Sequence, residues 1–506
     1  MNLETLLSTL DIIDRKNDKP LEIESIQYHS KNVIPSSLFV CIKGYQTDGH
    51  NYLEDAMNSG AVAAIVEDFK DLDIPQYKVK DSRLALALLA DKYYNHPSSH
   101  LKMIGITATN GKTTTSFMMN SILEAHQIKT GLIGTVVVKI DDEQEAAVLT
   151  TPESLDLHGY FSKMLEKNVT HATMEVSSSA LELNRVGGVD FDIVTLNNIS
   201  REHIDNHGSF EAYYNFKAGL IRNAKPEATA ILNLDDEMSA RLVHETKAQA
   251  ITYGVNDTSG NVWISGLDLS TGRARFTVHS NLNYAPFKIE LSIPGYHCVY
   301  NSLVAITTSM VLGIPAEIIQ KGIKDFMGIE RRFEFIFEDN YKIIDDHFAN
   351  AGNINVTLET LDFMTYKDFH LVYAIRGSRG VTVNKENAET IVKWSKKLGL
   401  TEIIATKSIG HVIWKDEVTE DELNIFLKIM SEANIKVHLY DQLEDAISHA
   451  LTQVSDDDVL LLAGCQGMDY GCNIALNQLE KLRPDISREK LRKPLKYRVA
   501  GLLEGE

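Results

Sequence analysis

The sequence predicts an α/β protein of several domains built on parallel sheets, with a phosphate-binding loop near the start of its central part. Three observations predict it. Apolar runs of strand length alternate with stretches of helical period along most of the chain. One run, "LKMIGI" (101–106), leads through "TATNGKTTT" (107–115) into a helical pattern, the order of a strand, a phosphate loop and a helix N-terminus. Finally, 506 residues are too many for one core and suggest two to four domains.

Composition narrows the function classes. The chain is 44% hydrophobic and 24% charged, as an ordinary globular protein is. A net charge of -20 argues against a nucleic-acid surface, which is normally basic. "LALALLA" (84–90) is far too short to span a bilayer, and no signal-peptide pattern is seen. Cys41, Cys298, Cys465 and Cys472 lack zinc spacing and read as reduced thiols of a cytoplasmic protein. Neither nucleic acid nor membrane is expected as a partner.

Residues 1–100 mix strand candidates ("SLFVCIKG", "AVAAIVE") with helical ones ("YLEDAMNSG", "RLALALLADKYY"), and "NHPSSH" (95–100) reads as a linker. Residues 101–329 carry the phosphate loop. In them "FDIVTLNNIS" and "ATAILNLDD" read as strands ending in polar loops, where open α/β sheets bind ligands. Residues 330–506 repeat the alternation. "FHLVYAIRG", "TEIIATKS", "KVHLYD" and "DVLLLAGC" are strands, separated by helices such as "AETIVKWSKKLG" and "QLEDAISHALTQV", which suggests a doubly wound domain. The charged tail from "LEKLRPDIS" onward is assigned no element.

In the loop, Lys112 would reach the outer phosphates and the Thr113 hydroxyl can bind magnesium. The general pattern G-x-x-x-x-G-K-[ST] fails, because Ile106 stands where the first glycine belongs. A bare Gly-Lys-Thr also fits a surface turn before a helix, but the strand before it and the threonines after it favour the phosphate loop. Further on, "THATMEVSSS" puts Glu175 at the end of an apolar-leaning strand. "NISREHIDNHGS" supplies His203, Asp205 and His207 at alternate positions, and Lys217 lies on the helix after them. A carboxylate and an imidazole on adjacent loop ends can complete magnesium coordination around a nucleotide. The alternatives are a surface carboxylate for Glu175, a hydrogen-bonded loop or a zinc site for the histidines, and a surface ammonium for Lys217.

These segments, in this order, resemble the Mur ligases, most of all the branch that makes UDP-N-acetylmuramyl-tripeptide, from about residue 20 to about 360. "LFVCIKGYQTDGHNYLEDAMNSGAVAAIVE" resembles the nucleotide-sugar domain of that family. "ATNGKTTT" resembles its Gly-Thr-Asn-Gly-Lys-Thr-Thr, with Ala108 for the first glycine. "LTTPES" resembles its muramyl-peptide contact, and "EVSSSALELNRV" its Glu-Val-Ser-Ser-His-Ala-Leu, with Ser179 for the histidine. "PGYHCVYNSLVAI" resembles the stretch whose Asn, here Asn301, lies against adenine, and "ERRFEFI" the link into the third domain, with Arg332 matching its arginine.

The resemblance implies a three-domain Mur ligase architecture, with a central P-loop-like ATPase domain and a doubly wound C-terminal domain, and a monomer. It implies a ligase that uses ATP and Mg2+ to convert a UDP-muramyl-peptide carboxylate to an acyl phosphate, which the amine of an amino acid then attacks. Thr109, Asn110, Gly111, Lys112, Thr113, Thr114, Asn301, Arg332 and Asp345 would bind ATP. Thr113, Glu175 and His203 would hold metal, and Lys217 matches a lysine that is carbamylated in many Mur ligases. Lys112, Lys217 and His203 would be catalytic. Ser30, Thr150, Thr151, Pro152, Glu153, Ser177 and Arg185 would face the muramyl-peptide, and Arg379 and Lys407 the acceptor.

Beyond Ala108 and Ser179 the pattern breaks in four places. Of the family's Asp-Tyr-Ala-His-Thr-Pro-Asp only the first residue survives in Asp345-Asp346-His347-Phe348-Ala349-Asn350-Ala351. His29-Ser30-Lys31 stands where the family has Asp-Ser-Arg, so the bidentate fork of arginine is lost at the uridine. "IIATKSIG" (403–410) carries no Asp-Asn-Pro-Arg of the diaminopimelate-adding enzymes. "AGCQGMDYG" (463–471) replaces Gly-Lys-Gly-His-Glu. The ATP machinery is kept and the acceptor side rewritten, so an acceptor other than diaminopimelate is expected. A ligase acting on another carboxylate, or a non-catalytic nucleotide-sugar-binding regulator, are the alternatives.

Overall fold

The computed structural model describes residues 1–44, 47–200, 209–495 and 498. His203, Asp205 and His207 therefore lie outside the described residues. The chain divides into two compact units, residues 1–265, 278–287 and 300–323, and residues 266–277, 288–299 and 324–506.

The first unit opens with a five-stranded sheet of β1 (Asp14–Lys16), β2 (Ser25–Gln27), β3 (Ser37–Val40), β4 (Ala61–Val66) and β5 (Gln76–Lys78), in the order β1-β5-β4-β3-β2. Only β1 runs antiparallel. Leu38, Val40, Ala63 and Ile65 pack on one face with Leu86 and Leu89 of the helix Ser82–Tyr93. Phe39, Ala64 and Val66 pack on the other with Leu53 and Ala56. Burial on both faces explains why these strands read as unbroken apolar runs. The expected linker at 95–100 is a left-handed His96 followed by a 3-10 turn over Pro97–His100.

The larger sheet is built around β6 (Lys102–Thr107), β7 (Thr130–Ile133), β8 (Val137–Ile140), β9 (Glu143–Ala146), β10 (His171–Glu175), β11 (Ile193–Leu196), β12 (Thr229–Asn233) and β13 (Gln249–Gly254). Its order is β9-β8-β7-β10-β6-β11-β12-β13, continuing through β14 (Val262–Asp268), β15 (Arg273–Ser280) and β16 (Phe287–Pro294). From β7 to β13 the neighbours are parallel, so their C-terminal ends form one edge. The phosphate loop after β6 and Glu175 at the end of β10 both sit on that edge, because Ile106 and Glu175 are register partners.

The second unit holds a six-stranded sheet of β17 (Glu334–Glu338), β18 (Lys342–Asp346), β19 (Phe369–Ala374), β20 (Glu402–Thr406), β21 (Lys436–Tyr440) and β22 (Val459–Gly464). The order is β17-β18-β22-β19-β20-β21, parallel apart from β17. Residues such as Ile354, Leu361, Ile391 and Phe426 cover one face, and Leu443, Ile447, Leu476 and Leu479 cover the other, which gives the expected doubly wound unit. The tail does have structure: a helix over Arg488–Arg492, a turn over Lys493–Leu495, and Arg498, whose side chain is 1% exposed. Arg498 pairs with Glu334 at 2.7 Å and with Asp345. No helix among the described residues is long and apolar enough to cross a membrane, and all four cysteines are buried and free.

Candidate active site

The loop between β6 and the helix Lys112–Ala125 is held from three sides. Gly111 caps the helix at φ +91°, in the left-handed region. A Cβ there would fall 2.1 Å from Asn301 Oδ1, so glycine is required by conformation and by space. Asn110 N–H donates to Asn198 Oδ1 and Asn198 Nδ2 returns a bond to Asn110 O, both at 2.9 Å. The Thr109 hydroxyl lies 3.0 Å from the Tyr213 hydroxyl and accepts from Ser200 N–H at 3.0 Å. Lys112 Nζ curls back to Ala108 O at 3.0 Å and Thr109 O at 3.1 Å. Thr113 and Thr114 are half-buried in the first helical turn.

Glu175 is completely buried, so the surface-carboxylate alternative is excluded. Its Oε1 accepts Thr135 N–H at 2.8 Å. Its Oε2 accepts the Thr113 hydroxyl at 2.9 Å and the Thr135 hydroxyl at 3.0 Å. A Cβ on Gly134 would come within 2.4 Å of Oε1, so the Gly134-Thr135 turn wraps the carboxylate closely. Sequence reading missed Thr135, which belongs to no motif and lies 40 residues from its partner.

Lys217 is not the surface ammonium of the alternative reading. On the helix Phe210–Arg222 it is 1% exposed. Its Nζ donates to Ala108 O at 2.8 Å and Thr107 Oγ1 at 3.2 Å, under the phosphate loop, and lies 5.1 Å from the centre of the Tyr213 ring.

The segment expected to face the muramyl-peptide converges on the same edge. Thr150 Oγ1 lies 3.2 Å from Thr135 Oγ1. Thr151 is buried; its hydroxyl donates to Glu175 O at 2.9 Å and accepts Ser177 N–H at 3.1 Å. Pro152 is buried beside it, and Ser177 caps the helix Ser178–Glu182. Glu153 is clamped by Arg185 at 2.9 Å and by Arg83 at 3.2 Å. Arg83, 70 residues away in an otherwise apolar helical run, gave no signal in the sequence. Ser30 lies half-buried in the turn Ser30–Asn32; two residues earlier, Tyr28 OH donates to Asp156 Oδ2 at 2.6 Å.

In the second unit Asp345, expected to bind ATP, lies among arginines. Asp345 is fully buried, with Oδ1 facing Arg331 Nε at 3.4 Å and Oδ2 taken by Arg498. Two guanidiniums therefore pair with the buried carboxylate, one at each oxygen. Arg332 is exposed, whereas Arg331 next to it is buried and pairs also with Asp469. Arg379 pairs with Asp416 at 3.1 Å and Lys407 with Asp441 at 2.6 Å. The backbone N–H groups of Ser378, Arg379 and Gly380 all donate to Glu422, which also closes the capping box of the helix Glu420–Glu432.

Comparison with known proteins gives the family. The Mur ligase family catalytic domain matches residues 22–94, the Mur ligase middle domain 106–309, and the Mur ligase glutamate ligase domain 331–466. UDP-N-acetylmuramoyl-L-alanyl-D-glutamate--2,6-diaminopimelate ligase of Bacillus cereus is 34% identical over 478 residues, covering 92% of this chain and 93% of its own. The chain belongs to the Mur ligase family. The ligase of the same name from Clostridium botulinum is 34% identical over 482 residues, covering 93% and 95%. Likeness to the Mur ligases thus continues past residue 360, where the motifs alone suggested that it fades. Among solved structures, MurF from Acinetobacter baumannii superposes with a TM-score of 0.64 at 22% identity, covering 95% of this Mur ligase and 97% of its own chain. A UDP-N-acetylmuramoyl-L-alanyl-D-glutamate--2,6-diaminopimelate ligase gives 0.67 at 22%, covering 90% and 92%.

The residues present fit ATP and magnesium. Asn301 is 3% exposed, receives Asn197 Nδ2 on its Oδ1 at 3.0 Å, and keeps its Nδ2 buried with no partner. A buried donor beside a phosphate loop calls for an acceptor. The Thr113, Thr135 and Glu175 oxygens are hard donors of the kind that suits Mg2+.

Proposed function

We propose that this Mur ligase joins an amino acid to the carboxylate of a UDP-N-acetylmuramyl-peptide, with ATP converted to ADP and phosphate, in peptidoglycan precursor synthesis. The observation that carries the reading is the junction at Thr135. Its hydroxyl touches both Glu175, in the set that would hold metal, and Thr150, in the set that would hold the muramyl-peptide. A phosphoryl donor and a carboxylate acceptor would therefore meet at one place, and such chemistry is mostly positioning and charge neutralisation.

In this reading Lys112 and the loop amides bind the β- and γ-phosphates, and Asn301 Nδ2 donates to the nucleotide. Thr113 and Glu175, with His203, would hold Mg2+, which would supply charge neutralisation at the phosphates. Thr151, Ser177 and Arg185 orient the carboxylate toward the γ-phosphate. The acyl phosphate forms as ADP leaves, and the acceptor amine then attacks the acyl carbon and expels phosphate. Lys217, buried beneath Ala108, would as a carbamate supply an anion to the magnesium site in place of its ammonium. The nucleotide-sugar, ATPase and acceptor domains take residues 1–100, 101–329 and 330–506. The enzyme works as a monomer in the cytoplasm, where ATP and UDP-sugars are made. Its acceptor differs from diaminopimelate, because Thr406-Lys407-Ser408 and Gly464-Cys465-Gln466-Gly467-Met468 do not supply the clamp expected for a second charged end.

The test is to incubate the protein with ATP, Mg2+, UDP-N-acetylmuramoyl-L-alanyl-D-glutamate and each amino acid in turn, following ADP release and product mass. An amide product with one amino acid supports the reading. ADP release that no amino acid stimulates, with no new mass, would refute it.

A further inference from the structure

The cations at the C-terminal edge of the six-stranded sheet are not equivalent. Arg379 and Lys407 are each neutralised by an aspartate, at 3.1 and 2.6 Å, and Arg331 by Asp345 and Asp469. Arg376 has no carboxylate partner among the described residues; its side chain bonds only to Ala349 O, through Nη1. Its Nε is buried without a hydrogen-bond partner. Ser408 is fully buried, and its Oγ also has no partner.

The fold brings the backbones that carry these two groups to neighbouring strand ends. Ala374 and Thr406 are register partners at the ends of β19 and β20, and Ile375 N–H donates to Thr406 O at 3.0 Å. Arg376 and Ser408 each follow two residues later. Asn384 fixes the Arg376 backbone by donating to its carbonyl at 2.8 Å. The loop after β22 packs close by: a Cβ on Gly467 would lie 3.2 Å from both Ser408 Oγ and Ala374 Cβ, tighter than an ordinary contact. His347 adds no charge here. Burial and the nearby Arg331, Arg332 and Arg376 push its imidazole down to about 3.

We propose that Arg376, with Ser408 beside it, binds the α-carboxylate of the acceptor amino acid, the role that sequence reading gave to Arg379 and Lys407. A partly buried guanidinium without a counter-ion and a buried hydroxyl without a partner are each unfavourable as they stand. A carboxylate resolves both, accepting the guanidinium N–H groups and the serine O–H. The amine stays free to attack, and the grip acts on a group that every amino acid carries. This inference rests on the ligase reading above.

The experiment uses the full-length enzyme with UDP-N-acetylmuramoyl-L-alanyl-D-glutamate. Glycine, L-alanine, L-lysine and meso-diaminopimelate are the acceptors, each compared with its α-carboxamide. Hydroxylamine, which traps an acyl phosphate as hydroxamate without any acceptor site, runs in parallel. We expect wild type to prefer free acids to amides, and Arg376→Gln to raise the acceptor KM about tenfold or more and erase that preference. The ratio of hydroxamate to amide product should rise with it. Should Arg376→Gln fold poorly, Arg376→Lys and Ser408→Ala serve instead, each raising the acceptor KM several-fold. A preference kept in Arg376→Gln, or in both substitutes, and lost instead in Arg379→Gln or Lys407→Gln, overturns the assignment. Absence of both hydroxamate and amide in wild type would instead refute the ligase reading, and this inference with it.

Discussion

Gly111→Ala tests the phosphate loop most directly, because two separate costs can be worked out for it. The first is conformational: φ at this position is +91°, and a side chain in the left-handed region costs about 1–2 kcal/mol. The second is steric. The new Cβ would lie 2.1 Å from Asn301 Oδ1 and 2.8 Å from its Cγ, more than about 1 Å inside ordinary van der Waals contact. Asn301 must then retreat and give up the 3.0 Å bond from Asn197, stranding buried amide groups at about 1–3 kcal/mol. Together these give about 2–5 kcal/mol, a large share of the stability of a typical domain. The displaced side chain is also the one proposed to meet the nucleotide, so ATP affinity should fall as well. Urea denaturation and ATP titration calorimetry measure the two effects. Adding Asn301→Ala removes the clash but leaves the backbone strain and an unpaired Asn197 amide, so the double variant should recover little of the stability and none of the ATP affinity. Gly111→Ala with stability within about 0.5 kcal/mol of wild type and an unchanged ATP Kd would refute the reasoning.

Four further outcomes are expected. Lys112→Ala should lower ATP turnover about a hundredfold or more, read as ADP release, because the outer phosphates lose their fixed cation. Lys217→Ala should be nearly inactive and partly restored by added formate or acetate; full activity of Lys217→Arg would rule out the carbamate. Arg498→Met leaves Glu334 without its cation and buried Asp345 with only the 3.4 Å contact from Arg331, so unfolding should become easier by about 3–5 kcal/mol, and Asp345→Asn in the same chain should recover part of the loss. His347 takes its proton near pH 3 when folded and near 6.5 when unfolded, so the unfolded state binds more protons between these values. Stability should therefore fall as pH drops from about 6.5 toward 3, by up to about 1.4 kcal/mol per pH unit, and the difference from His347→Gln isolates that slope.

What the sequence revealed was what is local. The strand, loop and helix around Lys112 are contiguous and carry their own period, so they could be read directly. The parallel strands could be read because both faces are buried. The hairpin β8–β9 and strands β14 to β16 were missed: β9 is exposed along its length, and β15 and β16 alternate buried with exposed positions and so form no apolar run. Partners far apart in sequence were invisible. Thr135 reaches Glu175 across 40 residues, Arg83 reaches Glu153 across 70, and Arg498 reaches Asp345 across 153. Asp345 shows the limit of motif transfer. Its position matched, but a match does not report that two arginines bury it.

The Lys112 ammonium donates to two carbonyls of its own loop. An arriving anion must compete with them. A small anion such as chloride or acetate offers the ammonium a single attraction in competition with bonds that it already makes. A nucleotide polyphosphate is drawn also by the loop amides and by the positive end of the helix, and it can pull the ammonium away. Selection at this loop therefore begins as a threshold on charge, applied before the base is read.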